Sequence, residues 1–349
     1  MRIRRTLPIV VLVLAIAAAV TFAVQLRKHA PPEPARLLPG ADAFFYLNLG
    51  AVRKANSGQE LPAVSHDPAY ERFINETGFE FERDLDSAAF AVHYPSKWPG
   101  GGTGGSSPEV RFSEVMEGKL HGEKLRSYLH GIAKAVENYH SVDIFTIDIE
   151  GRLLRVAVLS ADSVAASNHE DPTVIRGIID RSTRLASPFG GPALLRQYYK
   201  HVQLASLAWL VARMDPAAPS SAAWNSIITK PATLVVSGSA LSPLHPMANA
   251  VHVRAQVFAQ SSDEARGIAD RANVFIALTR SAETSVGTSL ASQGTDADVK
   301  AFFDSIQVKP DGDSAVLHAT VPAGFLHKIL TEQIPESSAP TQGQPAPAN

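Results

Sequence analysis

The sequence predicts an α+β fold: an N-terminal transmembrane helix followed by two duplicated halves, each with mainly antiparallel sheet and helices on one face. Three observations carry this. One uncharged apolar run stands near the N-terminus, hairpin signals recur beyond it, and one order of strands and amphipathic helices is read twice.

The apolar run is Leu7–Val24, LPIVVLVLAIAAAVTFAV, and no charged residue lies between Arg5 and Arg27. At 1.5 Å per residue, about 20 such residues cross a hydrocarbon core of roughly 30 Å. Arg2, Arg4 and Arg5 precede it and only Arg27 and Lys28 follow closely, so the cationic bias places the N-terminus in the cytoplasm. The expectation is a single-pass inner-membrane protein whose bulk is periplasmic or extracellular, with the lipid bilayer as its first partner. Thr21 and Ala23 also fit the two small positions before a signal-peptidase cut, so cleavage is the alternative.

Beyond this segment (residues 1–29), Ala30–Pro39 reads as a Pro-rich, semi-rigid spacer, and Pro335–Asn349 as a low-complexity tail. Between them lie a first half, residues 40–190, and a second, residues 200–334.

The first half opens with a strand at Ala43–Leu49. A helix at Asp67–Thr77 follows, with Asp67 as cap, Pro68 at the first helical position and Gly78 as terminator. Strands Ser87–Tyr94 and Glu109–Glu117 come next. A second helix is expected over Gly122–Tyr139, on the stripe Leu125, Tyr128, Leu129, Ile132, Ala133 and Val136. A hairpin, Val142–Ile149 with Leu153–Leu159, turns at Glu150 and Gly151, and Asp171 with Pro172 opens a third helix.

The order recurs from Ser206: strand Ser206–Arg213, short helix Ser220–Ile228, strands Ala232–Ser239 and Val251–Ala259. A long helix begins at Ser261, whose spacing to Glu264 is a capping box. A helix at Asp296–Asp304 leads to the hairpin Ile306–Lys309 with Ser314–Val321, and a helix at Pro322–Leu330 closes the half. Each half thus reads β-α-β-β-α-β-β-α. Two antiparallel sheets are expected, each with a free face that the other half, a partner or a ligand covers.

The chain has 349 residues, 45% hydrophobic and 19% charged, a globular profile. The lack of cysteine excludes disulfides, thiol nucleophiles and thiolate zinc sites. Five of the 32 basic residues flank the apolar run, so 27 face 34 acidic groups elsewhere, a balance of about −7. An acidic exterior without a basic run argues against nucleic acid.

Gly100, Gly102 and Gly105 fit G-x-G-x-x-G, but Ser106, Ser107 and Pro108 lead into another extended run rather than a helix. The twelve histidines form no H-x-H or H-E-x-x-H. His66 with Asp67, and His169 with Glu170 and Asp171, precede helices, where capping explains the acids. The carboxylate pairs Asp84 and Asp86, Asp143 and Asp148, Asp296 and Asp298, and Asp311 and Asp313 read as solvated groups. There is no G-x-S-x-G, S-x-x-K or phosphate loop, so no catalytic, cofactor or metal residue is assigned. Trp209 and Trp224, at the start of the second half, are the candidate partner surface.

LLPGADAFFYLNLG, GFEFERDLDSAAFAV and EGKLHGEKLRSYL, about a third of the chain, resemble stretches of a loose group of uncharacterised bacterial membrane-anchored envelope proteins with repeated α/β units. The resemblance implies an extracytoplasmic domain of unknown role and brings no catalytic residue. The expected function is a non-enzymatic, membrane-tethered binding or scaffold protein with an envelope protein, lipid or glycan partner. The alternatives are a motif-poor envelope hydrolase and a carrier of an apolar ligand between the halves.

Overall fold

The computed structural model describes residues 30–55, 66–93, 111–149, 151–183, 190–216, 224–240, 250–289 and 297–324. Leu7–Val24, the glycine loop, the Pro322–Leu330 helix beyond Gly324 and the C-terminal tail lie outside them. Among the described residues no helix is long and apolar enough to cross a membrane.

The chain is α+β, and among the described residues the strands form one twelve-stranded antiparallel sheet rather than the two expected. In chain order these strands are β1 (Ala43–Asn48), β2 (Leu85–His93), β3 (Arg111–Gly118), β4 (Ala135–Tyr139), β5 (Val142–Ile149) and β6 (Arg152–Val158). Then come β7 (Ser163–Ser167), β8 (Ser206–Met214), β9 (Ala232–Ser239), β10 (Ala250–Phe258), β11 (Gln307–Asp311) and β12 (Ser314–Pro322). Across the sheet the order is β11-β12-β10-β9-β8-β1-β2-β3-β7-β6-β5-β4. The seam is β1 against β8, with Phe44 opposite Val211 and Phe45 opposite Leu210.

The helices are α1 (Glu33–Leu37), α2 (Leu49–Ala55), α3 (Pro68–Thr77), α4 (Phe81–Asp84), α5 (Gly122–Ile132), α6 (Thr173–Thr183), α7 (Ala193–Tyr198), α8 (Ser262–Ser289) and α9 (Ala297–Ser305). They cover both faces of the sheet, not one. Adjacent strand residues point to opposite faces, and accordingly Ala88 and Ala89, Phe145 and Ile144, and Ala166 and Ala165 belong to different cores. The first face, with Phe44, Tyr46, Trp209 and Val211, packs against α1, α6 and α7 through Leu37, Ile175, Ile178, Ile179 and Leu195. On the second face, Leu125 and Leu129 of α5, with Phe79 and Leu120, cover Phe145, Val156 and Ala166 at one end. At the other end Ile268 and Ala269 of α8 cover Val308 and Ala315.

Three further expectations are corrected. The spacer Ala30–Pro39 contains α1, and Ala35, Leu37 and Leu38 are buried, because Pro-flanked apolar residues found a sheet face to cover. The second helix stops at Ile132, where Ala133 turns extended, and Ala135–Tyr139 pairs with β5 as an edge strand. In the second half, Trp224–Ile227 is a turn rather than the end of a helix. The capped starts hold: Asp67 accepts from Ala69 N and Tyr70 N, and Ser261 Oγ accepts from Glu264 N at 3.3 Å.

Candidate functional site

Cross-strand partners share a sheet face, so one row of side chains can be followed over all twelve strands. It runs Val136, Phe145, Val156, Ala166, Glu114, Phe90, Phe45, Leu210, Val236, Ala255, Leu317, Val308. Only Glu114 in this row is polar. Near its ends the row is buried, under α5 at Phe145, Val156 and Ala166 and under α8 at Val308. Its middle is open: Phe45 is 38% exposed, and Glu114, Phe90, Leu210, Val236 and Ala255 are half-buried. The reverse face of the same strands is closed, with Phe44, Val211 and Val235 buried.

Phe45 and Phe90 stand with ring centroids 6.0 Å apart. Glu114 lies beside Phe90 on one strand and Ala166 on the other, and has no hydrogen-bond or ion-pair partner among the described residues. Burial alone pushes its carboxyl up to about 7. A carboxyl poised there is partly neutral near physiological pH, when it can donate as well as accept a hydrogen bond. The sequence signal for it was present but unread: in Phe112, Glu114, Met116 the acid occupies an apolar phase of the strand.

The expected partner surface divides. Trp209 is 2% exposed, stacked on Tyr46 at 5.5 Å and edge-on to Tyr199 at 5.4 Å, so it belongs to the core of the first face. Trp224 is 51% exposed.

A serine–histidine contact does occur, His93 Nε2 standing 3.4 Å from Ser113 Oγ. Burial and the nearby His169 hold the His93 imidazole below its usual range. Ser113, however, is fully buried and shares a 2.9 Å hydrogen bond with Ser167 Oγ. A substrate carbonyl has no access to it. Members of two acidic pairs are likewise occupied: Asp84 is ion-paired with Arg83, which holds its carboxyl down, Asp86 with Arg53, and Asp148 with Lys134. A groove of about 540 Å³ between α3 and α5 is rimmed by Arg72, Glu76, Lys124 and Tyr128, and no histidine or aspartate lines it.

One group of mixed donors comes together, His66, Glu80 and Glu82, at the ends of α3 and α4. Glu82 accepts from Tyr70 Oη at 2.8 Å, and burial with this carboxylate pushes the Tyr70 phenol up to about 12. Spacing in sequence hid the group, because His66 and Glu82 meet only through the turn from α3 to α4.

No family model matches the chain, and neither does any curated protein. Among solved structures, crystal forms III, IV and I of TP0453 are similar, with TM-scores of 0.42, 0.41 and 0.39 and identities of 9%, 9% and 10%. Each alignment covers 86% of this chain and 98%, 97% and 97% of TP0453, respectively. At that level the likeness transfers no residue and no role.

Proposed function

We propose that this is a non-enzymatic, membrane-tethered extracytoplasmic binding protein that takes a lipid-like molecule, an apolar chain with one polar end, across the open centre of its second sheet face. The observation that carries this is the row from Glu114 to Ala255, in which one carboxyl, unpaired among the described residues, is followed only by apolar side chains. At about 4.8 Å per strand the row spans roughly 24 Å. Apolar contact supplies affinity at about 25 cal/mol per Å² removed from water, and a single polar group fixes orientation. A glycan would require many polar partners, which this row lacks.

The tether rests on Leu7–Val24 and its basic flanks. It would hold the open face close to a bilayer that supplies such molecules. A duplicated origin accounts for the sheet order, because β1-β2-β3 and β8-β9-β10 leave the central seam in the same sequence on opposite sides. In each run the third strand then pairs with a later hairpin strand, β7 or β12.

Native mass spectrometry of the full chain extracted from membranes tests the reading. Wild type is expected to carry lipid mass, and Phe45→Asp and Leu210→Asp to lose it while keeping the wild-type melting temperature. Bare protein in every sample would sink the ligand. For the topology, alkaline phosphatase fused after Asn349 is expected to be active outside the cytoplasm, and an inactive reporter would reverse that assignment.

A further inference from the structure

The turn from α3 to α4 lies away from the sheet row and gathers donors of a different kind. We propose that His66, Glu80 and Glu82 bind a divalent transition-metal ion, with zinc as the first choice. One donor atom from each residue lies within 4.8 Å of the other two. His66 Nε2 stands 3.6 Å from Glu82 Oε1. Two ligands about 2.1 Å from a tetrahedral ion are about 3.4 Å apart, so this pair closes on an ion with a small movement.

Further hydrogen bonds hold the same side chains in place. His66 Nδ1 is 3.0 Å from Glu71 Oε1, while the second oxygen of Glu82 accepts from Tyr70 Oη at 2.8 Å. Arg83 donates to Glu80 Oε2 at 2.8 Å. In metal sites the non-ligating imidazole nitrogen is held by a carboxylate in this manner, which fixes the tautomer and aims the other nitrogen at the ion. Imidazole with carboxylates suits zinc, and three protein donors leave the fourth position to water.

The local charge agrees. Glu71, Glu80 and Glu82 converge on one imidazole, and Arg83 is the cation that pairs with Glu80. The donors also sit on a rigid base, because Tyr70 and Phe73 pack on Phe81, Phe73 on Phe79, and the His66 ring stands edge-on to Tyr70 at 4.6 Å. A bound ion would clamp the entry of α3, at His66, to α4, at Glu80 and Glu82.

Zinc titrated calorimetrically into the chelator-treated full chain tests this. A single strong site per chain is expected, weakened by about tenfold or more in His66→Ala and in Glu82→Gln. Circular dichroism of the metal-free variants, unchanged from wild type, shows that the loss is not unfolding. Because the chain has twelve histidines, His169→Ala serves as the control and is expected to bind as wild type does. Absence of a strong site, a site that survives His66→Ala, or one that disappears with His169→Ala would each overturn the proposal. Lipid binding through Phe45 and Leu210 is read separately and does not depend on the outcome.

Discussion

Glu114 shows what burial does to a carboxyl that has no partner among the described residues. Raised from an ordinary 4.5 to about 7, it binds its proton more tightly in the fold than in the unfolded chain. The fold therefore binds more protons than the unfolded state between those values, and stability falls as pH rises through that window. Glu114→Gln removes the charge, so it is expected to raise stability at pH 8 by roughly 1–3 kcal/mol, the range allowing for half-exposure. Near pH 4.5 the gain vanishes. Urea midpoints at the two pH values check this, and an equal gain at both would show that the carboxylate is not the cause. The two tryptophans give a second contrast at this scale. Trp209→Ala empties the site between Tyr46 and Tyr199 and is expected to cost about 3–5 kcal/mol, whereas Trp224→Ala costs about 0.5 or less. Denaturant titration of both variants separates them.

At the scale of elements, the well-signalled helix is α3. Asp67 Oδ1 accepts from Ala69 N at 2.8 Å and Tyr70 N at 2.9 Å, and Gly78 closes the helix at φ 73°, where a side chain is disfavoured. Asp67→Ala is expected to lower stability by about 1 kcal/mol, measured by thermal melting, and no change would remove the cap from the account. The misread element is β4. Leu125, Leu129, Ile132 and Val136 keep a helical period, yet Val136 faces Phe145 across an edge pairing. Val136 is the one member of that stripe inside Ala135–Tyr139, and a single apolar position does not distinguish a helical period from a strand period, so pairing with the edge of β5 decides. Short β7, Ser163–Ser167, was also missed, since two alanines and two serines carry little strand signal.

At the scale of the molecule, a single sheet replaces two, and the seam between β1 and β8 makes the two runs one folding unit. Strand pairing on both sides protects the centre, while β4 and β11 are the edge strands among the described residues. Hydrogen exchange is expected to be slowest in β1, β2, β8 and β9 and fastest in β4 and β11. Protection that breaks at the seam, with the two runs exchanging as separate units, would contradict this. The long helix α8 fits the same picture. Its sheet side carries Ile268, Ala269, Ala272 and Ile276, whereas Val274, Phe275 and Leu278 are exposed on turns whose Asn273 and Ile276 still meet β11 and the core beneath it.

What is local was legible in the residues: the capped starts of α3 and α8, the hairpins β5–β6 and β11–β12, and the α+β class. Those follow from turn chemistry and hydrophobic period, which act within a few residues. Tertiary structure alone decided the single sheet, the helices on both of its faces, the open row at its centre and the meeting of His66 with Glu80 and Glu82. Each of these depends on pairing between segments far apart in the chain, as with Phe45 and Leu210, and period alone does not name a partner. Glu114 lies between the two. Its phase in β3 was legible, but its missing partner and its place in an apolar row became visible only when β1, β2, β3 and β7 stood side by side.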